Sequence, residues 1–293
     1  MNQRAMQSFQ IDQAGATIGE LLLDQGKLTP LQAEKVLLLQ REQGLRFGEA
    51  AIRLGFASQS DIDMALSTQF SYPYMPAHDC SLSPKLLAAY QPFSPEVESI
   101  RSLRSQLLVR WMARGQKTVT VACPNEESSE RHLAANLAIV FSQLGERTLL
   151  IDANMRQSSL GGLFGLSSGP GLSEILSNRA GIDVIQRLNT LRDLSILPSG
   201  ALPPNPQELL SRNDFDHLLT KLSDQYEVII VDTPPFSRAV DVQLIAARTR
   251  ASIFSVETGA TPVDTLKGLR DALHHAGSEV LGAVLHRSVR KRK

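Results

Sequence analysis

Two hydrophobic patterns divide the chain. From Thr118 onward the apolar residues come in short, near-continuous runs: Thr118–Ala122, Thr148–Ile151, Leu194–Leu197, Val228–Val231, Ser252–Val256 and Val280–Leu285. A strand with one wet face would alternate apolar and polar residues, so these runs read as strands covered on both faces. Stretches of helical character lie between most of them, among them Leu133–Leu144 and Val263–Ala276. That alternation predicts a doubly wound α/β fold around a mostly parallel sheet. Functional loops in such sheets sit at the carboxyl ends of the strands, which singles out the residues just after each run.

Upstream the pattern is helical and it repeats. Thr17–Gly26 (TIGELLLDQG) aligns with Arg46–Gly55 (RFGEAAIRLG) at an offset of 29 residues, and the offset continues through Thr29 and Ser58, Leu37 and Leu66, and Gln40 and Gln69. Each copy reads as two short helices. Thr17 with Glu20 has the spacing of a capping box, and Gly26 suits a left-handed stop. Thr29, Pro30 and Gln32 start the next helix and Gly44 ends it. Ile62, Ala65, Leu66 and Gln69 fall at i, i+3, i+4 and i+7, one mostly apolar face. A unit this small cannot bury that face alone, so the two copies are expected to pack together. Prolines at positions 73, 76, 84, 92 and 95 then interrupt the chain, and proline disfavours helix in the residue before it. The expected organisation is a helical two-repeat module over residues 1–75, a proline-containing linker over 76–92, and the α/β domain over 93–293.

Composition narrows the functional classes. Lys and Arg total 30 against 30 Asp and Glu, and a nucleic-acid-binding domain would show a basic bias. Cys80 and Cys123 are far apart in sequence, which argues against a disulfide scaffold and fits a reducing compartment. The N-terminus lacks the apolar core of a signal peptide, and no apolar run approaches the roughly 18 residues of a membrane span. The expectation is a cytoplasmic protein that a partner must hold if it works at a membrane.

The repeat resembles the N-terminal module of type II secretion and type IV pilus assembly ATPases, the MshEN type, whose two motifs begin Arg-Leu-Gly and end Leu-x-x-Gln. Some of these modules bind cyclic di-GMP through motif backbone, arginines and apolar side chains. The resemblance therefore implicates Gly19, Arg46 and Gly48. This sequence departs from the pattern at Thr17, which replaces the first arginine, and at Ile18 and Phe47, which replace leucines. A helical docking domain without a ligand is the alternative.

Two strand ends in the α/β part carry acidic residues, Asp152 in Asp-Ala-Asn-Met-Arg156 and Asp232 in Asp-Thr-Pro-Pro235. An acidic residue there beside a phosphate loop is how P-loop enzymes hold Mg²⁺; a turn or a helix cap is the plain alternative. From about Ser94 to Leu285 the chain resembles the bacterial tyrosine kinases of exopolysaccharide chain-length control, P-loop proteins of the MinD/ParA class. Leu149–Asp152 matches their Walker A′ segment and Val228–Asp232 their Walker B segment. Pro198–Leu210 (PSGALPPNPQELL) matches a run known chiefly from that family. Glu98, Arg101 and Arg104 match its E-x-x-R-x-x-R self-association helix, although a solvated helix face with weak i,i+3 pairing explains the same residues. The resemblance implies ATP and Mg²⁺ as cofactors, Asp152 and Asp232 as catalytic and metal-binding residues, a homo-oligomer, and a transmembrane polysaccharide co-polymerase as partner.

The phosphate loop departs from that family. A P-loop reads G-x-x-x-x-G-K-[ST]; its backbone cradles phosphate, its lysine reaches the β/γ oxygens, and its hydroxyl binds Mg²⁺. Aligning the downstream Ala134–Ala138 without a gap puts Glu127 and Ser129 on the glycine positions, Glu130 on the lysine and Arg131 on the hydroxyl. Glu130 turns an attraction for phosphate into a repulsion, and residues with a Cβ resist the left-handed conformations such loops use. Arg131, one residue out of register, leaves open a substitute for the lysine. Asn154 replaces the second aspartate of the A′ segment, while His286 and Glu257 stand where relatives often use Asn and Arg. The tail Arg287–Lys293 has no tyrosine, unlike the tyrosine-rich tail of many relatives, and its basic residues suit a solvated end or a contact with anionic lipid or a partner. The leading expectation is a kinase-like protein of exopolysaccharide export or chain-length regulation that works by binding partners, with ATP binding impaired or lost and ATP and Mg²⁺ as cofactors only if the site still functions. An active tyrosine autokinase with an unorthodox loop and a cyclic di-GMP receptor are the alternatives.

Overall fold

Four short helices, α1 (Ile18–Asp24), α2 (Pro30–Gln43), α3 (Phe47–Arg53) and α4 (Gln59–Gln69), build the front of the chain. The computed structural model describes residues 17–69, 75, 79–125, 132–158, 160–191 and 193–287. Each helix starts where a side chain closes on its own first turn. The Thr17 N–H donates to Glu20 Oε2 at 2.6 Å and the Glu20 N–H to Thr17 Oγ1 at 3.4 Å. Thr29 and Gln32 repeat the exchange at 2.8 and 3.3 Å, and Ser58 and Asp61 at 2.9 and 3.2 Å. Arg46 has no side-chain acceptor, so its helix keeps only half of the box, its N–H donating to Glu49 Oε2 at 3.0 Å. Gly26 and Gly55, at equivalent points of the two copies, both turn left-handed with φ of +67° and +69°.

The repeat packs by complementary size. Leu21, Leu22 and Val36 of the first copy correspond to Ala50, Ala51 and Ala65 of the second, and the order reverses at Ala33 and Ile62. All eight residues are buried. Large residues from one copy thus fill space that small ones leave in the other, so two similar sequences make one core.

The chain divides into two compact units, residues 1–79 and 80–293. The second unit holds a seven-stranded sheet of order β3-β4-β2-β5-β1-β6-β7. Its strands are β1 (Thr118–Ala122), β2 (Thr148–Asp152), β3 (Gln186–Arg187), β4 (Leu194–Leu197), β5 (Val228–Asp232), β6 (Ala251–Thr258) and β7 (Glu279–Arg287). All pairings are parallel except that of the two-residue β3 with β4. Leu149, Ile151, Ile229 and Val231 pack beneath Phe215, Leu218, Leu222 and Ile245, which come from helices Asn213–Ser223 and Asp241–Thr249. The other face is covered by helix α7 (His132–Ser142), in which every residue from Leu133 to Ser142 is buried. It is buried all round, with Asn136 and Ser142 the polar residues among apolar ones, because the sheet lies on one side and helices α5 (Leu87–Tyr90) and α6 (Pro95–Arg110) on the other.

This arrangement differs from the linker expected over residues 76–92. Residues 80–92 belong to the second unit. The Ala88 N–H donates to Asn136 Oδ1 at 2.8 Å, and Gln143 Nε2 donates to the Ala88 carbonyl at 2.7 Å. Ala88 and Ala89 are fully buried. The prolines end short turns here without freeing the chain, because two buried amide side chains, Asn136 of α7 and Gln143 just after its end, hold the backbone.

Candidate functional site at the strand ends

β2 and β5 are neighbours in register, so Asp152 and Asp232 stand side by side at their carboxyl ends. The Ala153 N–H donates to the Asp232 carbonyl at 3.0 Å, which ties the two loops where they leave the sheet. Thr233 Oγ1 donates to the Val121 carbonyl of β1 at 2.9 Å, and the Phe236 N–H to the Cys123 carbonyl at 2.8 Å. The ends of β1, β2 and β5 are therefore fixed as one framework. Asp152, Asn154 and Asp232 are all buried. Glu127, Ser129, Glu130 and Arg131 lie outside the described residues.

Two buried carboxylates side by side are ligands of the type that suits a hard cation. Asp152 is already engaged, however. Its Oδ1 accepts the Asn154 N–H at 3.1 Å and its Oδ2 accepts Ser158 Oγ at 2.9 Å. Asn154 Oδ1 in turn accepts the Gln157 N–H at 3.2 Å. The A′ loop thus wraps its own acid, and a Mg²⁺ ion would have to displace the Ser158 hydroxyl. Among the described residues no cluster of three or more His, Cys, Asp or Glu forms a ready-made metal site. Asp152 and Asp232 are carboxylates of the kind that hold Mg²⁺ together with a nucleotide's phosphates, and Asp152 would first have to exchange the Ser158 hydroxyl.

Sequence reasoning gave no role to the strongest contact of this region. Arg156 Nε donates to Asp241 Oδ2 at 2.9 Å and its Nη2 to Oδ1 at 3.2 Å, a two-pronged pair between the β2 loop and the first residue of helix α12 (Asp241–Thr249). The Asp241 side chain is 1% exposed and that of Arg156 38%. The hydrogen bonds that Arg156 donates to Asp241 raise the pKa of its guanidinium. Arg238 Nη1 adds a bond to Gln157 Oε1 at 3.2 Å across the same gap. The signal was an arginine and an aspartate just beyond two acidic strand ends, but pairing them needed the register of β2 and β5.

Glu257 and His286 are register partners at the ends of β6 and β7. Burial lowers the His286 pKa, and the nearby Glu257 carboxylate opposes that shift. The proline-rich run 198–208 folds back onto helix α9 (Leu172–Leu176): Glu174 Oε2 accepts the Gly171 N–H at 2.8 Å, and the Leu172 N–H donates to the Pro198 carbonyl at 2.8 Å. A Cβ on Gly171 would lie 2.1 Å from that carbonyl oxygen, so glycine is required by close backbone approach. Hydrogen bonds from Gly171, Ser173 and Ala201 keep the Glu174 pKa low although burial acts against them.

Glu98, Arg101 and Arg104 lie on α6. Arg101 Nη1 pairs with Glu98 at 3.1 Å, while Arg104 Nη1 donates to the Val140 carbonyl in the last turn of α7 at 2.9 Å. Arg104 therefore fastens a helix end within its own unit.

In the front unit, Thr17, Ile18, Gly19, Leu23, Leu37, Gln40, Phe47 and Gln69 line a cavity of about 490 Å³ that draws on both repeats. Gly19 and Phe47, from the two motifs, meet there. Arg46 is exposed. Gly48 is buried, and a Cβ on it would sit 2.9 Å from Ile62 Cγ2. Helix packing alone accounts for that glycine.

No family model matches the chain. Among curated proteins it is similar to the tyrosine-protein kinase YwqD of Bacillus subtilis, 32% identical over 203 residues, which is 69% of this chain and 85% of that protein. The putative tyrosine-protein kinase CapB of Staphylococcus aureus is 28% identical over 67% of this chain and 86% of its own length. The tyrosine-protein kinase wzc of Salmonella typhi is 30% identical over 71% of this chain, a match that spans only 29% of that longer protein. Among solved structures, the kinase domain of the Escherichia coli tyrosine kinase ETK superposes with a TM-score of 0.68 at 28% identity, covering 74% of this chain and 84% of that domain. The chimerical protein CapA2B2 gives 0.65 at 28% identity, covering 78% and 99%. The Mg-ADP complex of the septum site-determining protein MinD from Pyrococcus horikoshii, at 18% identity and a TM-score of 0.51, shares the fold.

Proposed function

Since the chain belongs to the bacterial tyrosine-protein kinases, we propose that it is a kinase-like member that serves exopolysaccharide export and chain-length regulation through partner binding, with ATP binding impaired or lost. The observation that carries this reading is the phosphate loop, where Glu130 and Arg131 stand at the lysine and hydroxyl positions. A carboxylate in place of an ammonium changes the sign of a term worth about 4 kcal/mol at 4 Å and an effective dielectric near 20. The engagement of Asp152 by Ser158 and Asn154 supports the same reading from the other side of the cleft. The proposed partner is a transmembrane polysaccharide co-polymerase, which would recruit the protein to the inner membrane from the cytoplasm. Among the described residues no helix is long and apolar enough to cross a membrane.

Calorimetric titration of the full chain with Mg·ATP and with Mg·ADP tests the proposal. The expected result is no saturable heat, together with no phosphotyrosine after incubation with ATP. Saturable binding, with an ATP-dependent phosphotyrosine signal lost in Asp152→Ala, would instead establish the active autokinase.

A second reading is favoured by the front cavity, whose lining takes Gly19, Ile18 and Phe47 from the motif starts and Gln40 and Gln69 from the motif ends. This supports the chain as a receptor for cyclic di-GMP, with Arg46 beside the cavity wall residue Phe47 in sequence. Titration with cyclic di-GMP is expected to saturate and to weaken in Arg46→Ala. No binding at high micromolar ligand leaves a docking module.

A further inference from the structure

The front cavity is mostly apolar, and what charge it carries is negative. Among the described residues Glu20 is the one charged residue on its wall, and Arg46 is not part of it. Glu20 Oε2 accepts the Thr17 N–H at 2.6 Å and the Thr17 hydroxyl at 2.9 Å. Those bonds lower its pKa, so the carboxylate is ionised at neutral pH. Its second oxygen, Oε1, accepts no hydrogen bond from a described residue. Gln40 and Gln69, at matching points of the two copies, stand half-buried on the same wall. Neither side-chain amide has a hydrogen bond among the described residues. An amide donates and accepts at once, which is what the backbone of an extended peptide also does. Ile18, Leu23 and Phe47 supply apolar surface beside these polar groups.

We infer that this cavity docks an extended segment of a partner protein in which an apolar side chain sits beside a lysine or arginine. Charge complementarity selects this occupant. Ile18, Leu23 and Phe47 take the apolar side chain, Glu20 Oε1 takes the basic head, and Gln40 and Gln69 pair with the peptide groups. An acidic segment would meet a carboxylate and no cation on the wall, and like charges repel. The volume of about 490 Å³ lies within the range of roughly 300–1,000 Å³ in which pockets bury a small ligand, so one anchoring side chain and its neighbours are enough to fill it. Glu20 is exposed, so its pairing is modest and the apolar anchor carries most of the affinity. The inference concerns the cavity of the cyclic di-GMP reading and rests on the alternative to it, a docking module. It does not depend on what the cleft of the second unit binds.

The test titrates the full chain into fluorescently labelled peptides with blocked ends and reads their anisotropy. The probes are Gly-Arg-Leu-Arg-Gly, Gly-Glu-Leu-Glu-Gly and Gly-Arg-Gly-Arg-Gly. The first is expected to bind saturably, and the other two about tenfold more weakly or not at all. Glu20→Gln removes the charge and keeps the helix cap, as Gln32 does for Thr29. It is expected to weaken the Arg-Leu-Arg peptide about two- to fivefold and to narrow its lead over the Glu-Leu-Glu peptide. Leu37→Trp, at a wall position 43% exposed, narrows the cavity and is expected to abolish binding. Should that variant fail to fold by circular dichroism, Glu20→Gln decides. Cyclic di-GMP makes the opposite demand on Glu20, because its phosphates are anionic. Saturable cyclic di-GMP binding that Glu20→Gln strengthens, with no peptide bound, would establish the dinucleotide receptor and overturn the inference. No saturation at high micromolar chain, equal binding of the three peptides, or binding indifferent to both substitutions overturns it as well.

Discussion

Removing the Arg156 side chain tests whether the two loops above the aspartates are held as one piece. The guanidinium makes both its bonds to Asp241, whose side chain is 1% exposed. Arg156→Ala leaves that carboxylate buried without its cation. Breaking a fully buried pair from one side costs about 3–5 kcal/mol. Arg156 is 38% exposed, and water screens part of the interaction, so about 2 kcal/mol is the expected loss. For a unit of some 200 residues that corresponds to a fall in Tm of about 4–8 °C. Differential scanning calorimetry at pH 7 on the full chain reads it in the transition of the second unit. Arg156→Met with Asp241→Leu, which removes both charges and keeps the volume, is expected to recover most of the loss. A single variant within about 0.5 kcal/mol of the parent would refute the claim that this pair fastens the loops.

Three further outcomes follow from the same contacts. Hydrogen bonds from Ser58 and the Lys27 ammonium hold the Asp61 pKa at about 2 against 3.8; this stabilises the front unit above about pH 4 by about 1 kcal/mol after screening and is lost as pH falls through 4 toward 2. Urea melts of the parent across pH 5 to 2.5, compared with Asp61→Asn, should show that dependence only in the parent. Gly48→Ala drives a methyl to 2.9 Å from Ile62 Cγ2 and is expected to cost about 1–3 kcal/mol, whereas Gly19→Ala meets the tip of the Phe47 ring at 3.1 Å and should cost less; thermal melts monitored by circular dichroism compare them. Combining Glu127→Gly, Ser129→Gly, Glu130→Lys and Arg131→Ser should give measurable Mg·ADP affinity by calorimetry where the parent has none, and a folded variant that binds nothing would show that the cleft has degenerated as well.

Most of the sheet was legible because buried parallel strands are continuous apolar runs. Thr118–Ala122 and Leu194–Leu197 match to the residue, and the others lengthen by one to three residues in all. β3 was not legible: Gln186 and Arg187 carry no strand character and are recruited only because β4 offers a free edge. The first two helices of the front module were legible from caps, since Thr17 and Thr29 each find the N3 partner three residues on, while the Ser58–Asp61 box at the repeat match of Thr29 is visible only in the structure. What periodicity did not reveal is how the two copies share one core, because bringing Leu21, Leu22 and Val36 together with Ala50, Ala51, Ile62 and Ala65 requires the repeat to be folded onto itself. The segment 80–92 departs from the linker its prolines predict for a related reason. Its proline content is a local signal, while Asn136 and Gln143, which hold it, lie some 50 residues away.

The strand-end aspartates were legible, but their state was not. A carboxylate at the end of a buried strand must be satisfied by something, and the candidates are an ion, a cap or its own loop. Sequence allows all three at Asp152. The structure has the loop do it, through Ser158 Oγ and the Asn154 N–H. That choice bears on the altered A′ segment. An aspartate at position 154 would bring a second negative charge next to Asp152, raising the cost of leaving the pair without a cation. Asn154 carries no charge, and its Oδ1 is spent on the Gln157 N–H. At a Mg²⁺ site the same substitution would both weaken the hold on the ion and lower the repulsion that the ion relieves. Under the proposed reading Glu130 and Asn154 act in one direction: a carboxylate at the lysine position would repel phosphate, and an uncharged Asn154 lets Asp152 be satisfied by its own loop.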